Sequence, residues 1–257
     1  MQAMIFAAGK GTRLKPLTDV IPKALVPVGN KPLLQIVAER LIQAGAGNIA
    51  VNVHHHAGQI SNFLSLMAGR YPGVFHVSDE SDNLLETGGG IKKARSMFSY
   101  DEPVLIHNCD ILSNLNIGEF YSQCAGSACS AALLVSERKT QRYLLFSENM
   151  RLVGWTNITT GEVKSPYPEV KALDGYTDVS VITDSALRMF AFSGIHAMSP
   201  AMFPLMDEWP DRFPIMDFYL RYCAEHDIRG IFRSDLKLLD VGKLDTLASA
   251  EDFLKTF

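Results

Sequence analysis

The sequence predicts an α/β fold: three layers, with a mostly parallel mixed sheet flanked by helices. Three observations carry that prediction. Short apolar runs alternate with helix-period stripes through the first 110 residues. The runs stop at small or polar residues that open loops, as at Gly9. Residues suited to ligand chemistry, namely Gly9, Thr87 and Asp110, each stand just after such a run. In a doubly wound sheet they meet beyond the C-terminal strand ends, where ligands bind.

The elements follow in order. Residues 3–7 form an apolar run that reads as a buried strand feeding a Gly-rich loop. Pro32 stands where a helix can begin, and Leu33, Leu34, Val37, Leu41 and Ile42 continue its stripe to Gly45. Residues 49–53 make a second strand. Ile60, Phe63, Leu64 and Met67 recur at i, i+3, i+4 and i+7, an amphipathic helix. Residues 74–77 are a third strand. After a polar loop, 91–98 reads as helix and 104–107 as a fourth strand ending before Asp110. The second half is more mixed. Strands are expected at 131–135, 143–146, 152–155, 189–196 and 238–241, and helices from Ser199-Pro200, at 215–223 and at 244–253. Residues 157–187 are rich in turn formers and read as loop or a small excursion. No Pro/Ser linker divides the chain, so a single domain over 1–257 is expected, with one ligand held by residues of about 1–113 and another by about 114–257.

Composition narrows the class. The 257 residues carry a formal charge of −4, which argues against a nucleic-acid binder. Within residues 1–31, Lys10, Arg13, Lys15, Lys23 and Lys31 face Asp19 alone, so that stretch is +4 and the rest must sum to −8. A basic island in an acidic chain implies a local anionic ligand. The N-terminus lacks the pattern of a secretory signal, and no window is long and apolar enough to span a membrane. Cys109, Cys124, Cys129 and Cys223 form no C-x-x-C pair and read as reduced thiols. A cytoplasmic protein without membrane contact is expected.

The island contains the richest segment, Ala7-Ala8-Gly9-Lys10-Gly11-Thr12-Arg13-Leu14, followed by Pro22-Lys23. Paired glycines let backbone N–H groups approach a phosphate. Arg13 can grip its oxygens as a fork, and Lys23 supplies a point charge. Rival phosphate motifs fail. A dinucleotide fingerprint needs a small residue where Leu14 stands and an acid closing the second strand, where Asn52, Val53 and His54 stand. A P-loop needs Ser or Thr after Gly-Lys, and Gly11 and Leu244 occupy those positions. With Pro16-Leu17-Thr18 and Lys31-Pro32, the segment resembles the signature of the sugar-1-phosphate nucleotidylyltransferases. The resemblance implies a Rossmann-like nucleotide-diphospho-sugar transferase fold. It implies that Ala7, Ala8, Gly9, Gly11 and Thr12 wrap a nucleoside triphosphate, while Arg13 and Lys23 neutralise its phosphates and the departing pyrophosphate.

Supporting motifs extend the likeness over most of the chain. Leu85-Glu86-Thr87-Gly88-Gly89-Gly90 resembles the family's second nucleotide loop, which makes Glu86, Thr87, Gly88 and Gly89 candidates for base and ribose. Three glycines at a helix start also permit close approach of a flat base. This variant is similar to the branch of N-acetylmuramate-1-phosphate uridylyltransferases and mannose- or heptose-1-phosphate guanylyltransferases. Where some relatives have a base-reading glutamine, Leu84 stands. Asn108-Cys109-Asp110 resembles Asn-Gly-Asp, and Asp240-Val241-Gly242 resembles a late Asp-Val-Gly. By resemblance Asp110 and Asp240 hold Mg²⁺, an ion that takes one or two carboxylates plus substrate phosphates. Phe192-Ser193-Gly194-Ile195-His196 resembles the strand lining the sugar pocket, so Asn108, Ser193 and Gly194 are the expected sugar contacts. Glu162-Val163-Lys164-Ser165-Pro166 is an interrupted match to a Glu-Lys-Pro element and makes Lys164 a candidate for the sugar phosphate, against the plainer reading of a solvated loop lysine. His54-His55-His56 has no carboxylate or thiol at ligand spacing and reads as a polar loop. Residues after Gly242 suffice for one helix, so no C-terminal β-helix is expected.

These readings imply Mg²⁺-dependent transfer from a nucleoside triphosphate to a sugar 1-phosphate. The expected pair is UTP and N-acetylmuramate 1-phosphate, with GTP and mannose or heptose 1-phosphate as the alternative. A non-catalytic nucleotide-sugar-binding regulator is the rival of another class, which could lose the aspartates or the arginine. A glycosyltransferase would carry Asp-x-Asp where Asn108-Cys109-Asp110 stands. The expected assembly is a monomer or small homo-oligomer.

Overall fold

The computed structural model describes the chain except residues 128, 184 and 257. In chain order it contains β1 (Gln2–Phe6), a ribbon of β2 (Pro27–Val28) and β3 (Lys31–Pro32), α1 (Leu33–Gln43), β4 (Asn48–Val53), α2 (Ala57–Arg70), β5 (Phe75–Asp79), α3 (Glu86–Ala94) and β6 (Val104–Asn108). Then follow β7 (Ile111–Ser113), α4 (Ile117–Ala125), β8 (Ala131–Ser136), β9 (Arg142–Phe146), β10 (Leu152–Asn157), β11 (Glu162–Lys164), α5 (Pro168–Lys171) and α6 (Val179–Thr183). The last elements are β12 (Arg188–Met198), α7 (Ile215–Tyr222), β13 (Ile228–Phe232), β14 (Leu238–Asp240) and α8 (Leu244–Leu254).

One ten-stranded mixed sheet runs β11-β10-β9-β12-β6-β1-β4-β5, with β8 joining β12 and β13 joining β8. β1 pairs in parallel with β4 on one side and β6 on the other. Strand order therefore reverses at β1, and the crevice beyond its C-terminal end is the switch point where such sheets bind ligands. Phe6 is level with Asn52 and with Asn108. The loops that leave these three positions share one edge.

Both faces are covered, which explains the uninterrupted apolar strands. Successive β1 side chains point opposite ways: Ala3 and Ile5 join the core under α1, α2, α4 and α8. Met4 joins the core under α3 and α7. α1 buries Leu33, Leu34, Val37, Ala38 and Leu41, the stripe expected from sequence. α2 buries Ile60, Leu64 and Met67.

Several elements differ from expectation. α3 starts at Glu86 rather than near 91, so the Glu-Thr-Gly-Gly-Gly run is its first turn. α4 was not anticipated, although Ile117, Phe120, Tyr121 and Cys124 keep helical spacing and Asn116 caps it by accepting from the Glu119 N–H. β13 likewise was not anticipated. Residues 157–187 hold β11, α5 and α6, because Val163, Val170 and Ile182 bury against Leu145 and Val153. The four cysteines are free and buried. Among the described residues, no helix is long and apolar enough to cross a membrane.

Two histidines are sealed in this sheet. His107 Nδ1–H donates to the Asn108 carbonyl at 2.8 Å. His196 Nδ1 shares a 2.6 Å hydrogen bond with the Tyr219 hydroxyl. Burial lowers their pKa values to about 4 and about 3, from an ordinary 6.5. In the unfolded chain both take up protons as pH falls through 6.5; in the folded chain they do not until pH 3–4. Stability is thus complete above the unfolded value and lost on acidification toward the folded ones, by about 2 kcal/mol per histidine at pH 5. We expect Tm to fall between pH 6.5 and 5, and His196→Gln to flatten that slope. An unchanged slope in the variant would remove His196 as its source.

Candidate active site

The Gly-rich loop leaves β1 and is tied at its base. Asn52 Oδ1 accepts from the Ala7 N–H at 2.7 Å and the Ala8 N–H at 3.3 Å. Its Nδ2 donates to Glu80 Oε1 at 2.8 Å, and Glu80 Oε2 accepts the Leu85 N–H at 3.1 Å. Asn52 and Glu80 are buried. They couple the Gly-rich loop to the loop that opens α3, and sequence reasoning missed both. The position that excluded a dinucleotide fingerprint is the strut of the site.

Farther along, Gly9 faces open space, and the N–H groups of Gly9 and Lys10 have no partner among the described residues. Gly11 has φ +62, and a Cβ there would come within 2.8 Å of Thr18 Cγ2 and 2.9 Å of Lys23 Cβ. Thr18 locks this turn by donating its hydroxyl to the Gly11 carbonyl at 2.8 Å. Thr12 and Arg13 begin the next short turn, with Leu14 buried beneath it. The loop's N–H groups are therefore divided: those of Ala7 and Ala8 hold the frame, and those of Gly9 and Lys10 stay available to an anion.

Asp110 follows β6 and forms an ion pair with Lys23. The β7–β14 ribbon sets Asp240 opposite Ile111, and the Val241 N–H donates to the Asp110 carbonyl at 2.8 Å. Two aspartates distant in sequence thus stand side by side. Gly242 is wedged beside them: a Cβ there would lie 2.7 Å from Asp240 Oδ1 and 2.9 Å from Arg13 Nη2. Asp240 Oδ1 is buried with no hydrogen-bond partner among the described residues, an acceptor suited to a donor or a cation. Among the described residues, no cluster of three or more His, Cys, Asp or Glu could hold a metal. Two carboxylates with one orphaned oxygen fit an ion that draws its remaining ligands from phosphate and water. Cys109 lies buried between Asn108 and Asp110, and burial pushes its thiol pKa up, so it acts as apolar filler.

A cavity of about 260 Å³ opens here, lined by residues 6–9, Lys23, Asn52, Leu84, Glu86, Thr87 and residues 108–110. The glycines of α3 do not form an open platform beside it. A Cβ on Gly88 would come within 2.3 Å of Phe213 Cε2, and one on Gly89 within 2.0 Å of the Asp211 carbonyl oxygen. The Gly88 and Gly89 N–H groups donate to the Phe213 carbonyl at 2.8 and 3.2 Å. Close approach does require these glycines, but their partner is the segment before α7. Thr87 Oγ1 accepts the Ile215 N–H at 2.9 Å, and Glu86 pairs with Arg212 at 3.0 Å.

Of the expected sugar contacts, Asn108 lines this cavity, while Gly194 and Ser193 lie outside its lining. Gly194, at φ +73, packs against Asn108, whose Nδ2 would be 2.8 Å from a Cβ. Ser193 is buried, and its hydroxyl is 3.4 Å from that of Ser136. Phe192 lines a second cavity of about 580 Å³, with Arg138, Arg142, Tyr143, Trp155 and Lys164. Pro214, just before α7, lines this second cavity as well, while Gly194 of the same strand as Phe192 packs on Asn108, which lines the first. Two other lysines of the basic island are engaged elsewhere: Lys15 pairs with Asp19 and Lys31 with Glu39. His54 and His55 donate to the Glu80 and Thr18 carbonyls, fastening the loops.

The profile of the nucleotidyl transferase family matches residues 2–143. N-acetylmuramate alpha-1-phosphate uridylyltransferase of Caulobacter vibrioides is 29% identical over 233 residues, 89% of this chain and 87% of that protein. Mannose-1-phosphate guanyltransferase of Debaryomyces hansenii is 30% identical over 141 residues, 53% of this chain but only 39% of that protein. The crystal structure of HddC from Yersinia pseudotuberculosis superposes with a TM-score of 0.72 at 18% identity, over 98% of this chain and 99% of that one. The last likeness is one of fold.

Proposed function

The chain belongs to the nucleotidyl transferase family, and on that premise we propose that it transfers a nucleotidyl group from a nucleoside triphosphate to a sugar 1-phosphate. The observation that carries this reading is the convergence at one cavity. The Gly-rich loop, Lys23 and Asp110 line it, and Asp240 and Arg13 stand next to Asp110, on either side of Gly242. An oxygen of the sugar phosphate attacks the α-phosphorus in line, the bond to the bridging oxygen breaks, and pyrophosphate leaves. The nucleophile has a second pKa of about 6, so it is largely dianionic at neutral pH and no side chain has to remove a proton. The obstacle is repulsion between anions. The chain meets it by positioning and charge neutralisation.

Lys23 and Arg13 would meet the triphosphate, and the Gly9 and Lys10 N–H groups would receive one of its oxygens. Asp110 and Asp240 would hold Mg²⁺, which supplies charge neutralisation at the phosphates when bound. The nucleotide fits the cavity at the switch point, bordered by Glu86 and Thr87. The sugar fits the second cavity, with Asn108 and Gly194 at the border between them and Lys164 on the far wall. The finer reading is UTP with N-acetylmuramate 1-phosphate, supported by the likeness to the Caulobacter vibrioides protein over most of both chains. A cytoplasmic enzyme of cell-wall nucleotide-sugar supply follows from that reading.

The test is a matrix of nucleoside triphosphates against sugar 1-phosphates, read by pyrophosphate release with and without Mg²⁺. We expect release only when triphosphate, sugar 1-phosphate and Mg²⁺ are all present, fastest with UTP and N-acetylmuramate 1-phosphate. Activity confined to GTP with mannose or heptose 1-phosphate would replace the substrates and keep the reaction. Nucleotide-sugar binding without release under any combination would replace an enzyme by a regulator.

A further inference from the structure

We infer that Arg138 and Arg142 form an anion-reading pair that selects sugar 1-phosphates whose substituents include a carboxylate. The inference rests on the proposed transfer reaction and adds a specificity determinant to its sugar site.

The argument begins with charge in the second cavity. Lys164 is already compensated: it lies 3.4 Å from Asp217, 3.9 Å from Glu162 and 5.4 Å from the centre of the Trp155 ring. Arg138 Nη2 donates, among the described residues, only to the Phe192 carbonyl, at 3.4 Å. Among the described residues, neither Arg138 nor Arg142 has a carboxylate within 4.0 Å, although both line the cavity. Two exposed guanidinium groups therefore flank a pocket whose acids are engaged by its lysine. Tyr143, Trp155 and Phe192 complete the wall with flat apolar surface, suited to a sugar ring.

Position decides which anion they meet. The attacking phosphate has to reach the α-phosphorus beside Lys23 and Asp110, at the end of β6. Arg142 opens β9, and β12 lies between β9 and β6. Two strand spacings amount to about 10 Å. A phosphate in line for attack leaves the ring over β12 and turns the far substituents of the ring toward the arginines. A neutral sugar leaves both guanidinium groups facing hydroxyls. A carboxylate there receives paired, charge-assisted N–H donors in the planar geometry that arginine offers.

The experiment compares acidic and neutral substrates in two pairs: N-acetylmuramate 1-phosphate against N-acetylglucosamine 1-phosphate, which lacks the lactyl ether and its carboxylate at O3, and glucuronate 1-phosphate against glucose 1-phosphate, which differ only in the oxidation state of C6. Glucose 1,6-bisphosphate serves as the arm that carries a second phosphate instead. kcat/KM is read by pyrophosphate release. Binding is read by calorimetry in the presence of α,β-methylene UTP, which blocks transfer. Wild type is expected to favour the acidic member by about 10- to 100-fold, chiefly through KM. Arg138→Gln and Arg142→Gln are each expected to erode that ratio by at least about tenfold, and the lysine variants to restore part of it. Equal affinity for acidic and neutral members overturns the inference, as do variants that weaken both members alike, a preference for the bisphosphate, or binding of neither. Absence of pyrophosphate release with every sugar overturns the transfer reaction instead, while the calorimetric ratio still judges the arginines.

Discussion

Asp110→Asn is expected to keep the fold and to lower nucleotidyl transfer by about 10²- to 10³-fold. Asp110 and Lys23 are only partly buried, and the pair joins two loops at the mouth of a cavity. An asparagine oxygen still accepts from Lys23, so the stability cost is expected below about 1 kcal/mol. The chemistry loses more. Asp110 stands beside Asp240, whose Oδ1 has no partner among the described residues, and on the proposed reading removing one charge of the pair weakens the hold on a divalent cation. The variant should therefore need far more Mg²⁺ for half-maximal rate. Arg13→Ala is expected to lose comparable turnover by another route: its Mg²⁺ requirement stays near wild type while the KM for the triphosphate rises. Pyrophosphate release tested across a Mg²⁺ series, beside thermal unfolding, separates the two. Wild-type-like turnover in Asp110→Asn would remove this residue from the reaction.

The legible part of the site is the part whose residue types are dictated by the ligand. On the proposed reading, Gly9, Arg13 and Lys23 are readable because a phosphate demands bare backbone and positive charge whatever the fold around it, and Gly11 is readable because the turn that holds the loop needs a positive φ. Asp110 and Asp240 are readable as separate strand-end acids, but their adjacency depends on the β7–β14 ribbon. β14 falls on the strand expected at 238–241, but its three-residue partner β7 leaves almost no pattern in the sequence. The α3 glycines illustrate the opposite failure. Their need for space was legible, but the object filling that space, residues 211–213, lies more than a hundred positions away. The same holds in the second half of the sheet. β13 and β11 are short, and their pairing with β8 and β10 is decided by tertiary contact. α4 is different, because its stripe and its Asn116 cap were present to be read.

Asn52 carries the other large expected effect. A single side chain accepts from two loop N–H groups and donates to a buried carboxylate. Nothing about an asparagine at a strand end announces this, since the residue is common where strands become loops. Asn52→Leu fills similar volume but leaves Ala7 N–H, Ala8 N–H and Glu80 Oε1 without that partner, all of them buried. Unsatisfied buried groups cost about 1–3 kcal/mol each, so a loss of several kcal/mol in unfolding free energy is expected. Asn52→Asp is expected to be worse for the site than for its shape: it keeps the acceptor but sets a second carboxylate against Glu80 Oε1, where the Nδ2 donor was 2.8 Å away. Pairing that change with Glu80→Gln restores a donor opposite the new acceptor and is expected to recover much of the stability. Recovery of activity should follow only if the Gly-rich loop resumes its position, because on the proposed reading the loop's remaining N–H groups meet the phosphates from where Asn52 holds it. Chemical denaturation and pyrophosphate release across the two single variants and the double form a cycle whose coupling term measures the strut. Additive losses would mean that Asn52 and Glu80 support the two loops separately. A strong positive coupling would make the strand-end asparagine the residue through which the nucleotide cavity is held open.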